Sequence, residues 1–112
     1  MPLEKLERYL LDPEHPVGRH KARVFRSAVA IEREDAAHLA DELRRGVRSA
    51  PVRDVATRTV GDRTYRTWRV DMPVTGPTGR TKLAVTAWEM RNGRPWFVHA
   101  RIAKRQPPEY AG

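Results

Sequence analysis

The sequence predicts an α+β domain in which about three N-terminal helices precede a four-stranded antiparallel sheet. Two observations carry this. Apolar residues recur at helical spacing as far as Val47 and at alternating spacing from Pro51 onward. The breaks in the second half, Gly61-Asp62, "VTGPTGR" and "RNGRP", are short enough for hairpins and too short for crossovers. Helices followed by a meander of strands bury one face of the sheet under the helices.

Each element follows from its own residues. Leu3, Leu6 and Leu10 share one face of a short first helix, and Asp12-Pro13 closes it, because a residue before proline avoids helical angles. Ala22, Phe25, Ala28 and Val29 form the stripe of a second helix over about Pro16 to Val29, with Pro16 suited to a first turn. A third helix, about Glu34 to Val47, carries Leu39, Ala40, Leu43 and Val47 on one face. Its acidic start and its arginines near the end, Arg44, Arg45 and Arg48, complement the helix dipole.

Four strands follow. Val52 to Val60 reads as a weak, arginine-rich strand, and "RTYRTWRVDM" places Trp68, Val70 and Met72 opposite Tyr65, Thr67, Arg69 and Asp71. "TKLAVTAWEM" sets Leu83, Val85 and Ala87 against Ala84, Thr86, Trp88 and Met90. "WFVHARIAK" alternates Trp96, Val98, Ala100 and Ile102 with Phe97, His99 and Arg101. Residues 1–105 are expected to make this single domain, and residues 106–112, "QPPEYAG", a flexible tail. The three tryptophans are expected in the core, because each sits on regular alternation. His38, among alanines, reads as surface or packing.

Charge is unevenly spread. The first 50 residues carry 10 basic and 9 acidic side chains, whereas residues 51–112 carry 12 and 5, so the net +8 belongs almost wholly to the sheet half. Such a field attracts polyanions, which makes nucleic acid or an acidic protein the leading partner. With no cysteine, disulfides, thiolate metal sites and a cysteine nucleophile are excluded. No apolar run approaches the roughly 20 residues that span a bilayer, so membrane insertion is not expected. The N-terminus has no pattern of a secretory signal, which makes a cytoplasmic location, or delivery into a target cell as an effector, the expectation.

The four histidines lack metal-ligand spacing, and neither a phosphate-binding loop nor a dinucleotide fingerprint is present, so no metal and no cofactor are expected. What remains is acid–base chemistry on a phosphodiester. Cleaving RNA through its own 2′-hydroxyl needs a base for that proton, cations for the charge growing on phosphate, and an acid for the departing 5′-oxygen. In "DPEHPVGRHKARVF" His15 precedes a helix whose first amides attract anions, and Lys21 lies about one turn in. Thr86 with His99 or Arg101 could project from neighbouring strands. The candidate catalytic set is therefore His15, Lys21, Thr86, His99 and Arg101. Arg19, His20, Arg66, Arg69 and Arg80 are the candidate nucleic-acid contacts. Each has a plainer reading: His15 as a helix cap, Lys21 as a stem laid over the core edge, Thr86 as an ordinary strand residue.

The motif "YLLDPEHPVGRHKARVF", with Thr75-Gly76-Pro77, Gly79-Arg80 and Thr86-Ala87-Trp88, resembles a bacterial domain family. That family is found at the C-termini of polymorphic toxins and in phage head-associated proteins. Its layout is similar to the barnase/EndoU/colicin/RelE group of metal-independent ribonucleases. The resemblance implies a ribonuclease-like toxin domain acting on tRNA or other RNA, held in check by an acidic immunity or antitoxin protein. The alternative is a non-catalytic basic module that binds nucleic acid or an acidic partner.

Overall fold

The computed structural model describes residues 5–111. Met1 to Glu4, and with them the expected contribution of Leu3 to the first helix, lie outside the described residues, as does Gly112. The chain opens with a π-helical turn, Leu6–Leu10, and continues with helices α1, Arg19–Val29, and α2, Ala36–Ser49. Strands β1, Val52–Val60, β2, Arg63–Thr75, β3, Thr81–Arg91, and β4, Arg94–Ile102, follow. The strands form one antiparallel sheet in the order β1-β2-β3-β4. Helices followed by a four-stranded antiparallel sheet are thus the architecture that the change of period predicts.

Burial on one face of the sheet explains the helices. Val70, Met72 and Val74 of β2, Ala84 and Trp88 of β3, and Phe97 and Ala100 of β4 form a single core with Phe25, Val29, Leu39 and Leu43 from the helices. Leu6, Leu10 and Leu11 of the N-terminal turn close it at one side. α2 lies over β2 and α1 against β4. α2 approaches closely where Gly46 faces Met72: a Cβ on Gly46 would overlap the buried Met72 thioether. Pro73 is tolerated within β2 because β1 pairs only as far as Val70, so at Pro73 β2 has no strand neighbour on that side among the described residues.

Three elements differ from expectation. α1 begins at Arg19, later than Pro16, because the backbone N–H groups of Val17 and Gly18 donate to His15 Nδ1 and hold residues 16–18 in a turn. β4 carries a bulge: Trp88 pairs with Phe97 but Ala87 pairs with His99, so Val98 is the extra residue. The bulge reverses the first half of the strand. Phe97, Ala100 and Ile102 face the helices, while Trp96, His99 and Arg101 occupy the other side.

The third difference is the C-terminal segment, expected to be a flexible tail. Gln106 accepts from the Leu83 N–H at 2.6 Å and donates to the Leu83 and Ala103 carbonyls at 3.0 and 2.8 Å, extending the edge of the sheet beyond β4. A 3₁₀ turn, Pro108–Tyr110, then brings the Tyr110 carbonyl to the Lys82 ammonium. His38, expected to be surface or packing, is half-buried and its Nε2 donates to the Thr75 carbonyl at 2.6 Å.

Candidate active site

The sheet face away from the helices gathers most of the titratable side chains of the sheet. By strand alternation and register it presents Tyr65, Thr67, Arg69 and Asp71 from β2, Val85, Ala87, Glu89 and Arg91 from β3, and His99 and Arg101 from β4. Arg58 of β1 pairs with Tyr65 and lies on the same side. This face is not an open plain: Val85, Ala87 and Glu89 are buried among longer side chains.

Glu89 is its centre. The carboxylate is 1% exposed and accepts from Arg58 at Oε1 and from Arg91 at Oε2, the latter at 3.1 and 3.3 Å. Burial pushes its pKa up, but the hydrogen bonds and charges of Arg58 and Arg91 outweigh burial and hold it below the usual carboxylate range. A buried charge is tolerated only with partners of this kind. Each carboxylate oxygen has two lone pairs, so Glu89 can still accept a further proton or hydrogen bond.

His99 is a diagonal neighbour of Glu89, since its strand partner Ala87 lies two residues from Glu89 on the same face. Such diagonals run roughly 7–8 Å between backbones, within reach of one phosphodiester. His99 is half-buried, and burial pushes its pKa below 6.5; the charges of Lys21, Lys5, Arg101 and Arg58 push it the same way. Among the described residues its Nδ1 is buried without a hydrogen-bond partner, and so is the hydroxyl of Thr67, the strand partner of Glu89. Leaving such an atom unsatisfied costs about 1–3 kcal/mol. Both lie on the same face as the bridged Glu89 carboxylate.

Two lysines reach this region around the β4 edge. Lys5 donates to the Phe97 carbonyl at 3.5 Å and sits 5.4 Å from the Phe97 ring, and its pKa is lowered by burial in spite of the Glu89 charge. Lys21 is half-buried and likewise lowered, by burial and by Arg101. Lys21, His20, Arg101 and Lys104 line a hollow of about 370 Å³ beside β4. Arg101 and Lys104 also border a second hollow of about 560 Å³ with Arg53, Arg69 and Arg105, where Arg53 and Arg69 share the Asp71 carboxylate. The two hollows share Arg101 and Lys104 in their linings, and basic side chains predominate in both.

The other sequence candidates sit elsewhere or are engaged. His15 is half-buried, and its Nδ1 accepts from the Val17 and Gly18 N–H groups in the turn before α1. Thr86 is fully buried on the helix-covered face. Its hydroxyl donates to the Val70 carbonyl at 2.6 Å and accepts from Trp88 Nε1 at 2.7 Å, so its hydrogen is unavailable to phosphate. Arg66 is exposed and stacks 5.9 Å from the Trp68 ring on the helix side of the sheet. Arg80 donates to the Ser27 carbonyl near the far end of α1, six residues beyond Lys21 and so about 9 Å along the helix. Arg19 is exposed on the first turn of α1.

Glu89, Arg58, Arg91, Thr67 and Lys5 went unread in the sequence. A signal for Glu89 was present: it continues the apolar face Leu83, Val85, Ala87, and a carboxylate at that position must be either solvated or paired. Among the described residues no group of three or more His, Asp or Glu side chains is placed to hold a metal ion, and no helix is long and apolar enough to cross a membrane.

The fold and this face define an α+β protein with a basic sheet surface built around a buried carboxylate. Residues 1–103 match the model of the family described as a domain of unknown function, DUF6883, and the chain belongs to that family. No curated protein and no solved structure matches the chain.

Proposed function

We propose that the protein is a ribonuclease-like domain of the barnase/EndoU/colicin/RelE type, cleaving RNA by acid–base chemistry on the sheet face that carries Glu89 and His99. The observation that carries this reading is the bridged carboxylate flanked by two buried, unpartnered polar atoms, Thr67 Oγ1 and His99 Nδ1.

In this reading Glu89, ionised at neutral pH, takes the proton of the 2′-hydroxyl as that oxygen attacks the adjacent phosphorus. His99 gives a proton to the 5′-oxygen as its bond to phosphorus breaks, leaving a 2′,3′-cyclic phosphate and a 5′-hydroxyl. Burial and the neighbouring cations hold the His99 pKa down; a bound phosphate offsets those cations, raises the pKa and supplies the imidazolium that the second transfer needs. Lys21, Arg101, Arg58 and Arg91 hold the charge that grows on the non-bridging oxygens. The hollow lined by Arg69 and Arg105 receives the flanking phosphates.

The test is incubation with tRNA or total RNA in EDTA. Cleavage abolished in Glu89→Gln and His99→Ala, and weakened in Lys21→Ala, supports the reading; intact RNA at high protein, or cleavage undiminished in these variants, sinks it. A second reading is favoured by the basic residues that line both hollows away from Glu89: a module that binds RNA without cutting it. It gives salt-sensitive binding with no products. As a toxin domain the protein would be matched by an acidic immunity or antitoxin protein, to which the same basic face offers a complementary surface.

A further inference from the structure

A third hollow lies on the helix side of the β3–β4 hairpin. A groove of about 410 Å³ opens between the C-terminal half of α2 and the start of β4. Its floor is aromatic: Trp88 and Phe97 meet edge to face at 5.4 Å, and the Trp88 N–H is satisfied by Thr86, which fixes the indole. Its wall includes Pro95 and Trp96, and Trp96 is 39% exposed. Its rim is cationic, with Arg44, Arg48 and Arg94 lining it and no acidic residue among the lining. Arg44 is within 3.4 Å of exposed Asp41, but Arg48 and Arg94 have no ion-pair partner among the described residues.

The groove is tied to the site. Trp96 is the strand partner of Glu89. Arg91 joins them: its guanidinium donates to Glu89 Oε2 and lies 4.6 Å from the Trp96 ring. Trp96, on the edge strand β4, therefore borders both the groove and the face that carries Glu89. Flat apolar surface, an exposed indole and unpaired guanidiniums are the requirements of an unpaired nucleotide, whose base stacks while its phosphate is neutralised. A duplex cannot supply this without unstacking.

We infer that this groove is a subsite for an unpaired nucleotide of single-stranded RNA flanking the cleaved bond, with its base against Trp96 and Pro95 and its phosphate between Arg48 and Arg94. The inference rests on the ribonuclease reading for the cleaved bond, and the subsite sets a substrate that extends beyond a dinucleotide.

The experiment uses the full chain and fluorescein-labelled oligouridylates, with binding read by anisotropy and cleavage by gel. Trp96→Ala and the double variant Arg48→Ala/Arg94→Ala are expected to weaken binding and cleavage of an eight-nucleotide strand by about 5- to 100-fold. Cleavage of a dinucleotide should stay as in the parent. The double variant should also make the slope of log K against log salt shallower by about 0.7 for each phosphate that is no longer neutralised. Trp96→Phe, which keeps an aromatic surface, should restore most of the binding, and thermal melting of each variant checks the fold. Equal effects on long and short substrates, or no effect on either while the parent still cleaves, would overturn the subsite alone. A parent that neither binds nor cleaves RNA overturns both readings. Polyglutamate binding as tight as RNA and insensitive to Trp96→Ala would make the groove a docking surface for an acidic protein and overturn the nucleotide assignment.

Discussion

The indole N–H of Trp88 donates to the Thr86 hydroxyl at 2.7 Å on the buried side of β3, and that hydroxyl donates onward to the Val70 carbonyl of β2. Thr86 therefore links two strands and orients the indole that floors the groove. Thr86→Val keeps the shape and leaves the Trp88 N–H without its acceptor, so it should cost about 1–3 kcal/mol of stability. Cleavage per folded molecule should change little. Urea denaturation beside an RNA cleavage assay checks both; a large drop in activity with unchanged stability would return Thr86 to the candidate catalytic set.

Glu89 makes the acid limb of stability its own test. Its folded pKa lies below the unfolded value, so its contribution is fully present above the ordinary carboxylate range and is lost as pH falls through the folded value. In Glu89→Gln that pH-dependent part vanishes, while Arg58 and Arg91 are left facing each other across a neutral amide. The melting temperature of the variant should be lower than the parent's at pH 7, and the gap should close as pH falls below the ordinary carboxylate range and through the folded value. Parallel curves would show that Glu89 is already protonated or solvated at neutral pH.

His99 shifts the opposite way in charge but gives the same direction in pH. Its folded pKa is depressed, so the unfolded chain binds the proton more readily, and stability falls as pH drops below about 6.5 toward the folded value. An NMR titration should place His99 below 6.5 in the free protein and move it upward when inorganic phosphate is added. A value at or above 6.5 without anion would remove the physical basis for His99 as a proton donor formed on binding. Removing an acid–base group usually costs about 10²- to 10⁴-fold in rate, which sets the scale for His99→Ala.

The fold was legible because period alone separates helices from strands. β1 and the Gly61-Asp62 turn fall where alternation puts them, β2 and β3 differ only at their ends, and β4 differs also at the Val98 bulge. The site was half legible. Lys21, His99 and Arg101 were readable as cations and a titratable ring near one face; Glu89 left only its place on an apolar strand face, because its importance lies in burial between arginines 31 residues before it and two after. Trp96 was misplaced for a different reason: a bulge at Val98 has no reliable mark in one sequence, and it moves every residue before it to the other face.

The turn "TGPTGR" couples both helices to the sheet. Gly76 follows β2 and lies against the last turn of α1, where a Cβ would overlap the Val29 carbonyl oxygen, a backbone atom that cannot swing aside. The same turn is clamped from α2: Glu42 accepts from the Thr75 N–H at 2.6 Å, and His38 donates to the Thr75 carbonyl. Gly76→Ala must push α1 away from the sheet, a strain of about 1–3 kcal/mol if the helix yields. Glu42→Ala removes one hydrogen bond to a charged acceptor and should cost about 1.5–3 kcal/mol less any replacement by water. Because α1 carries Lys21 toward Arg101 and His99, Gly76→Ala should also lower the cleavage rate, whereas Glu42→Ala should leave it close to the parent value in the folded fraction. Melting curves and rates measured on both variants decide this: equal rates would mean that the position of α1 does not control the site.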